Sequence, residues 1–170
     1  DFFAFLETNA AGLLRRKPQP IEWAVLRSVQ IKRDVVEQDE REMGLRAILN
    51  FGHTVGHAIE KLSGYGKCRH GEASSIGMVT EALLAERCGW AAKGTSATIA
   101  AALERMKLPV RMMGNLPTEA ILQAIELDKK TLGGRIRLAL PVRIGECGVF
   151  ENIDRGSLAS AIEAHRKWEL

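Results

Sequence analysis

The sequence is poor in cysteine, carries little net charge and lacks any long apolar run. Cys68, Cys88 and Cys147 are widely spaced and form no CxxC pair, which argues against a disulfide framework and favours reduced thiols in a cytoplasmic protein. The net charge of +3 comes without a long basic block, so we do not expect a nucleic-acid partner. No apolar stretch approaches the roughly 20 residues that span a bilayer, and no signal peptide is visible, so we expect no membrane contact.

A dinucleotide-binding fingerprint is also missing, because no GxGxxG segment occurs in the 170 residues. That length fits a single domain, residues 1–170, with a substantial core. A content of 46% apolar and 26% charged residues is typical of globular proteins. The chain begins with Asp1 instead of methionine and continues directly into FFAFLE, so we expect it to be a piece of a longer protein.

Apolar residues recur with helical spacing through most of the chain. Near residue 136 the period changes to two, which predicts a strand from Ile136 to Val142 and a second short strand at Val149–Phe150. The fold class we expect is therefore mainly α, multihelical, with one small β-hairpin. The expected helices cover Phe2–Arg16, Ile21 to about Glu42, the segment with His53 and His57, a central buried helix from His70 to Cys88, Gly94 to Leu108, a helix from Pro117, and Ser157–Trp168.

The second of these helices carries a lysine inside an apolar stripe. Val25, Val29, Lys32 and Val36 follow the spacing i, i+4, i+7 and i+11 and share one face. The amine of Lys32 either reaches water at the end of an apolar stem or lies in a partly buried anionic site. The following charged run, 37–42, is interpreted as a solvated helix face.

Histidine is concentrated in one region: three of the four histidines, His53, His57 and His70, lie between positions 53 and 70. In LNFGHTVGHAIE (49–60), His53 and His57 are four apart and would share one helix face. Imidazoles in this spacing suit a zinc-type metal, as two ligands or as one ligand beside an acid/base group. His70 follows a glycine-containing loop and could fold back to join them.

Other interpretations of this segment stay open. Gly52 and Gly56 leave room beside the histidines for a substrate or for another helix. His53 and His57 could also be hydrogen-bonded core histidines without a metal. The HExxH pattern of metalloproteases is excluded, because Thr54 occupies the glutamate position.

Several segments together resemble the 3-dehydroquinate synthases. They are Lys32, EREMGLR at 40–46, LNFGHTVGHAIE, HGEA at 70–73 and DKK at 128–130, and they occur in the family's order through nearly the whole chain. The resemblance implies a two-domain enzyme with its active site between the domains. An N-terminal NAD-binding domain would be absent from this chain, which resembles the helical, metal-binding C-terminal domain. It also implies a homodimer.

The resemblance implies a role for each candidate site residue. His53 and His70 would bind the metal, zinc or cobalt, and His57 would face the substrate and take part in proton transfer. The remaining side chains would bind the carboxylate, hydroxyl and phosphate groups of a sugar acid phosphate. They are Lys32, Arg46, Asn50 and either Lys129 or Lys130.

The implied reaction converts 3-deoxy-D-arabino-heptulosonate 7-phosphate into 3-dehydroquinate and phosphate, in the shikimate pathway, with NAD acting catalytically. The family's third metal ligand is a glutamate in an EVIK-like motif upstream of Asp1, so we expect the 170 residues alone to be inactive. HGEASSIGM also differs from the family's HGEAVAIGM at Ser74 and Ser75, which we expect to be tolerated.

Two alternatives belong to different classes. Another sugar phosphate cyclase, or an iron-type alcohol or glycerol dehydrogenase, would share the histidines. Glu72 and the 128–130 run favour 3-dehydroquinate synthase over the other cyclases, and the 50–57 block favours it over the dehydrogenases. A non-catalytic helical interaction domain would need no metal and should tolerate loss of His53 and His70.

Overall fold

A computed structural model of the chain describes residues 1–41, 44–64, 67–113, 116–130 and 136–168, with the backbone alone at 128–130. Within these ranges the chain is mainly helical with one small hairpin, which confirms the expected fold class. The elements are α1 (Phe2–Leu14), α2 (Pro18–Gln38), a 3₁₀ helix (Leu45–Asn50), α3 (His53–Ser63), α4 (His70–Arg87), α5 (Thr95–Arg105), α6 (Thr118–Lys130), β1 (Leu138–Arg143), β2 (Glu146–Phe150) and α7 (Arg155–Arg166).

Helix α4 is the centre of the domain, as its apolar sequence predicts. Between Ala73 and Ala85 every residue except Met78 is buried. A helix buried on all sides needs partners all round, and α4 contacts α3, α5, α7 and β1. The first residue of α4, His70, therefore begins a helix that the core of the protein holds in place.

The main core lies between α3, α4, α6, α7 and the hairpin. Its side chains are aliphatic, and each fully buried leucine or isoleucine contributes about 1.5–3 kcal/mol. Trp90 stacks on Phe150 with ring centroids 4.5 Å apart and closes one side of this core. The largest fully buried members are Ile59, Ile76, Leu84, Ile121, Leu122, Ile125, Leu138, Leu140, Leu158 and Ile162.

The hairpin is antiparallel, with Leu138 opposite Phe150 and Leu140 opposite Gly148. It starts two residues later than predicted on the first strand and three residues earlier on the second. The reason is a tight turn at Ile144 and Gly145, where Gly145 has φ +88° and brings Glu146 directly opposite Arg143. The two predicted strands leave residues 143–148 between them, whereas in the structure only Ile144 and Gly145 separate the strands.

Several predicted helix boundaries were also wrong by two to four residues, including the ends of α1, α5 and α7. Helix α2 begins at Pro18, because proline is favourable in the first helical turn, and Lys17 precedes it in an extended conformation. It ends at Gln38 and does not extend to Glu42. Helix α7 begins at Arg155, where the carboxylate of Asp154 accepts a hydrogen bond from Ser157 N at 2.8 Å.

The stripe on α2 faces outward in this chain. Val25 is 58% exposed, Val29 is 60% exposed, and Lys32 beside them is exposed too. The inward face carries Ile31 and Val35, which border an apolar cleft of about 480 Å³. Among the described residues no helix is long and apolar enough to cross a membrane.

Candidate metal and substrate site

The three clustered histidines meet in space as a triangle. The ring centroids lie 5.5 Å apart for His53 and His57, 5.1 Å for His53 and His70, and 5.4 Å for His57 and His70. His53 and His57 share one face of α3, and His70 is the first residue of α4. The chain therefore brings together the three imidazoles that the sequence singled out.

A glycine-lined helix crossing holds this triangle. A Cβ atom on Gly77 would lie 2.0 Å from the carbonyl oxygen of Gly52, and one on Gly56 would lie 2.9 Å from Ser74 Cα. Gly52 also has φ +83°, a conformation that favours glycine. The glycines before each histidine thus make room for α4, which decides between the two interpretations in favour of another helix.

The Nδ1 atoms of His53 and His70 both face hydrogen-bond acceptors. His53 Nδ1 lies 3.3 Å from the carbonyl oxygen of Phe51, and His70 Nδ1 lies 3.1 Å from Glu60 Oε2. A carbonyl or carboxylate oxygen only accepts, so the tautomer that fits these contacts donates from Nδ1 and leaves the lone pair on Nε2. Metal-binding histidines are oriented by this kind of contact.

The spacing of these rings suits a shared metal ion. Tetrahedral zinc bound to nitrogen at about 2.0–2.1 Å sets two imidazole ring centres about 5 Å apart, close to the 5.1 Å between His53 and His70. Across the described ranges, however, no group of three or more His, Cys, Asp or Glu side chains forms a ready metal site. A metal-compatible distance between two histidines and the lack of a third described ligand are consistent if this chain provides only part of a ligand set.

An acidic residue that the sequence analysis did not single out, Asp39, holds the segment that leads into the 3₁₀ helix. Asp39 Oδ2 accepts hydrogen bonds from Gly44 N at 2.8 Å and from Arg46 N at 2.9 Å, and the Arg46 guanidinium donates to Glu40 O at 3.1 Å. The 37–42 run is therefore more than a solvated helix face. An aspartate shortly before a glycine-containing turn was the available signal.

For the other sequence-predicted residues, the structure shows which helix carries each of them. Asn50 ends the 3₁₀ helix, three residues before His53, and Arg46 lies in the same helix. Lys32 lies on the exposed face of α2, which packs against the 3₁₀ helix. Lys129 and Lys130 belong to the last turn of α6, and their side chains lie outside the described part of the chain.

A second missed residue lies under the triangle. Glu81 is fully buried in α4, and its carboxylate accepts hydrogen bonds from Gly52 N at 2.6 Å and from Val55 N at 3.1 Å. A lone glutamate in the apolar stretch SIGMVTEALLA was the signal, because buried carboxylates need hydrogen-bond partners. Its contacts place it at the start of α3.

The family model described as 3-dehydroquinate synthase C-terminal matches residues 1–131. This chain belongs to that family. It is 42% identical over 165 residues to a 3-dehydroquinate synthase of Methylococcus capsulatus, covering 97% of this chain and 46% of the relative. It is 45% identical over 146 residues to that of Thermodesulfovibrio yellowstonii, covering 86% and 41%. The chain thus spans less than half the length of these curated relatives.

Solved structures share the fold of this 3-dehydroquinate synthase family member. A 2-epi-5-epi-valiolone synthase from Streptomyces hygroscopicus, with NAD+ and Zn2+ bound, matches with a TM-score of 0.84 at 22% identity, over 98% of this chain and 46% of that one. A 2-deoxy-scyllo-inosose synthase complexed with carbaglucose-6-phosphate, NAD+ and Co2+ matches with a TM-score of 0.72 at 21% identity, over 88% and 41%. At these identities the similarity shows the fold alone.

Proposed function

We propose that residues 1–170 form the metal- and substrate-binding domain of a 3-dehydroquinate synthase. The complete enzyme converts 3-deoxy-D-arabino-heptulosonate 7-phosphate into 3-dehydroquinate and phosphate. The observation that carries the proposal is the histidine triangle, in which His53 and His70 keep Nε2 for a metal, in a chain that belongs to this family.

His53 and His70 hold the metal, zinc or cobalt, in this account. Phe51 O and Glu60 orient the two rings through Nδ1. A metal held by these two residues would supply Lewis acidity, which makes a substrate hydroxyl easier to deprotonate. The fold neighbours were solved with zinc or cobalt, which supports the choice of metal.

The third ring, His57, serves proton transfer. Its centroid lies 5.5 Å from that of His53 and 5.4 Å from that of His70, so a substrate held at those two rings also lies beside His57. An imidazole is suited to that role because its pKa lies near neutrality. His57 binds no metal in this assignment.

The substrate carries a carboxylate and a phosphate, which cationic side chains bind with charge-assisted hydrogen bonds. The family resemblance assigns Arg46 and Asn50 to the carboxylate and hydroxyl groups, and both lie on the 3₁₀ helix that leads to His53. The other cations assigned to the substrate are Lys32, Lys129 and Lys130.

The third metal ligand and the NAD site belong, in this proposal, to a nucleotide-binding domain outside these 170 residues. The exposed residues Val25 and Val29 of the α2 stripe, with Leu26 beside them, offer an apolar surface to that domain, and Lys32 lies on the same face. Relatives more than twice as long as the matched segment support this division. The 170 residues alone are then inactive, and the complete enzyme is a homodimer.

A different sugar phosphate cyclase is the second candidate, because the fold neighbours include valiolone and inosose synthases. The curated relatives at 42–45% identity favour 3-dehydroquinate synthase over it. A helical interaction domain without catalysis is the third candidate, and the experiment below separates all three.

The test combines this chain with the nucleotide-binding half of one of the bacterial relatives and measures phosphate release with NAD. We expect release from the heptulosonate phosphate in the mixture, none from either half, and none from a His53→Ala, His70→Ala double variant. Release only from another sugar phosphate would favour a different cyclase. No release from any of them, with a double variant that folds normally, would favour an interaction domain.

A further inference from the structure

Glu81 is the one fully buried charged side chain within the ranges that the structure describes. Burying a carboxylate is costly unless hydrogen bonds compensate for the lost water. Glu81 Oε2 lies 2.6 Å from Gly52 N, and Oε1 lies 3.1 Å from Val55 N. These two amides flank His53, so both oxygens of the carboxylate are used at the start of the histidine-bearing helix.

The start of α3 has no side chain of its own to cap it, because its N-cap residue is Gly52. The free N–H groups of a first helical turn attract negative charge. Glu81 supplies that charge from a different helix, 29 positions further along the chain from Gly52. Hydrogen bonds of this kind, from backbone N–H to a carboxylate, are among the stronger ones in proteins.

The glycines at the crossing set the distance between α3 and α4, as the 2.0 Å clash of a Cβ on Gly77 shows. Two smooth glycine surfaces in contact can still slide or rotate past one another. Two defined donors on one carboxylate remove that freedom, because each oxygen accepts from a particular amide. The Glu60–His70 contact then joins the far part of α3 to the first residue of α4.

We propose that Glu81 is a positioning residue that sets the register of α3 on α4, so that His53 and His57 face His70. This inference rests on the proposed metal site for its functional consequence. The hydrogen bonds from Gly52 N and Val55 N to Glu81 belong to this chain alone, so they can be measured without metal.

The test substitutes Glu81→Gln, which keeps the size of the side chain but turns a donor toward one of the two amides. Hydrogen exchange at Gly52 and Val55 should become at least about tenfold faster. Cobalt(II) affinity, followed by paramagnetic shifts of the ring protons of His53 and His70, should fall roughly tenfold to a hundredfold. Circular dichroism should stay unchanged.

Glu86→Gln is the matched control, because Glu86 lies on the same helix and Oε1 accepts a hydrogen bond from Ser96 N at 2.6 Å. It should speed exchange at Ser96 and leave cobalt affinity unchanged. If Glu81→Gln does not fold, Glu81→Asp is measured against the same criteria, since it keeps the charge but shortens the reach.

Two results would overturn the inference: unchanged exchange at Gly52 and Val55, or equal cobalt affinity in both glutamine variants. A purely structural role would lower the melting temperature in both without separating their affinities. Absence of cobalt binding both in the unmodified chain and in its mixture with the nucleotide-binding half of a relative would overturn the proposed metal site. The exchange data would still decide whether Glu81 holds the start of α3 in place on α4.

Discussion

Glu60 Oε2 lies 3.1 Å from His70 Nδ1, so the last turns of α3 orient the first residue of α4. The side chains are 39% and 53% exposed, and a polar contact this exposed contributes little to folding. Its consequence is the orientation of the imidazole, which leaves Nε2 directed away from Glu60. This separates the effect of Glu60 on metal binding from its effect on stability.

Replacing Glu60→Ala should lower cobalt(II) affinity by about tenfold, because the His70 ring loses the acceptor that orients it. The free energy of unfolding should change by less than about 0.5 kcal/mol, since alanine favours helix and the lost contact is exposed. Isothermal titration and urea unfolding measure the two quantities. Glu104→Ala, at an exposed position on α5, is the control and should alter neither. Equal affinities in the two variants would contradict the orienting role.

Replacing each of two neighbouring serines on α4 by alanine should have opposite effects on the free energy of unfolding. Ser74 Oγ is buried and has no hydrogen-bond partner among the described residues, whereas Ser75 Oγ donates to Pro109 O at 2.6 Å. Ser74→Ala should be neutral or stabilising by up to about 1 kcal/mol, and Ser75→Ala should cost about 1 kcal/mol relative to it. Both variants gain the same helix propensity, so the difference between their urea midpoints measures the different contributions of the two hydroxyl groups to stability. A more damaging Ser74→Ala would show that its hydroxyl is satisfied.

His165 should make the protein less stable in mild acid. Burial lowers its pKa, as do the charges of Arg111 and Arg166, although the carbonyl of Val110, 2.6 Å from Nε2, opposes this. The unfolded chain therefore binds a proton first, and stability present at neutral pH is lost as pH falls below about 6.5. Urea unfolding at pH 7.5, 6.5 and 5.5 measures this slope. His165→Gln, which keeps a donor for Val110, should flatten it; an unchanged slope would locate the titration elsewhere.

Cys147 should be unreactive in the folded protein. Burial and the nearby negative charge of Glu81 raise its pKa to about 12, and its thiol donates to Leu140 O at 3.2 Å. Thiolates are the reactive form, so iodoacetamide at pH 8 should leave Cys147 unlabelled. Mass spectrometry after labelling with and without urea measures this, and the unfolded sample is the control. Rapid labelling without urea would mean that the hairpin opens readily.

The proximity of the three histidine rings could be predicted from the sequence because its signal is local. His53 and His57 are one helical turn apart, and the clustering of His70 indicated that it belonged with them. Helix α4 was also predictable from its nearly continuous apolar stretch, and the hairpin from the alternation of its apolar residues. Their boundaries were less certain, because Pro18 and Gly145 act through local geometry that periodicity does not report.

The contacts that support the site could not be predicted in the same way. Glu81 reaches Gly52 across 29 positions, and a single sequence contains no information on which two distant residues meet. The stripe through Val25 and Val29 showed which residues share a face. Whether that face is covered depends on a partner surface, and in this chain it is exposed.

Zinc affinity is the most direct test of the central claim, that His53 and His70 are part of a metal site completed by another domain. We expect weak binding to the 170 residues, binding at least about a hundredfold tighter when the nucleotide-binding half of a relative is added, and loss of both after His53→Ala with His70→Ala. Zinc binding of equal strength in the double variant, with or without the added half, would contradict the account.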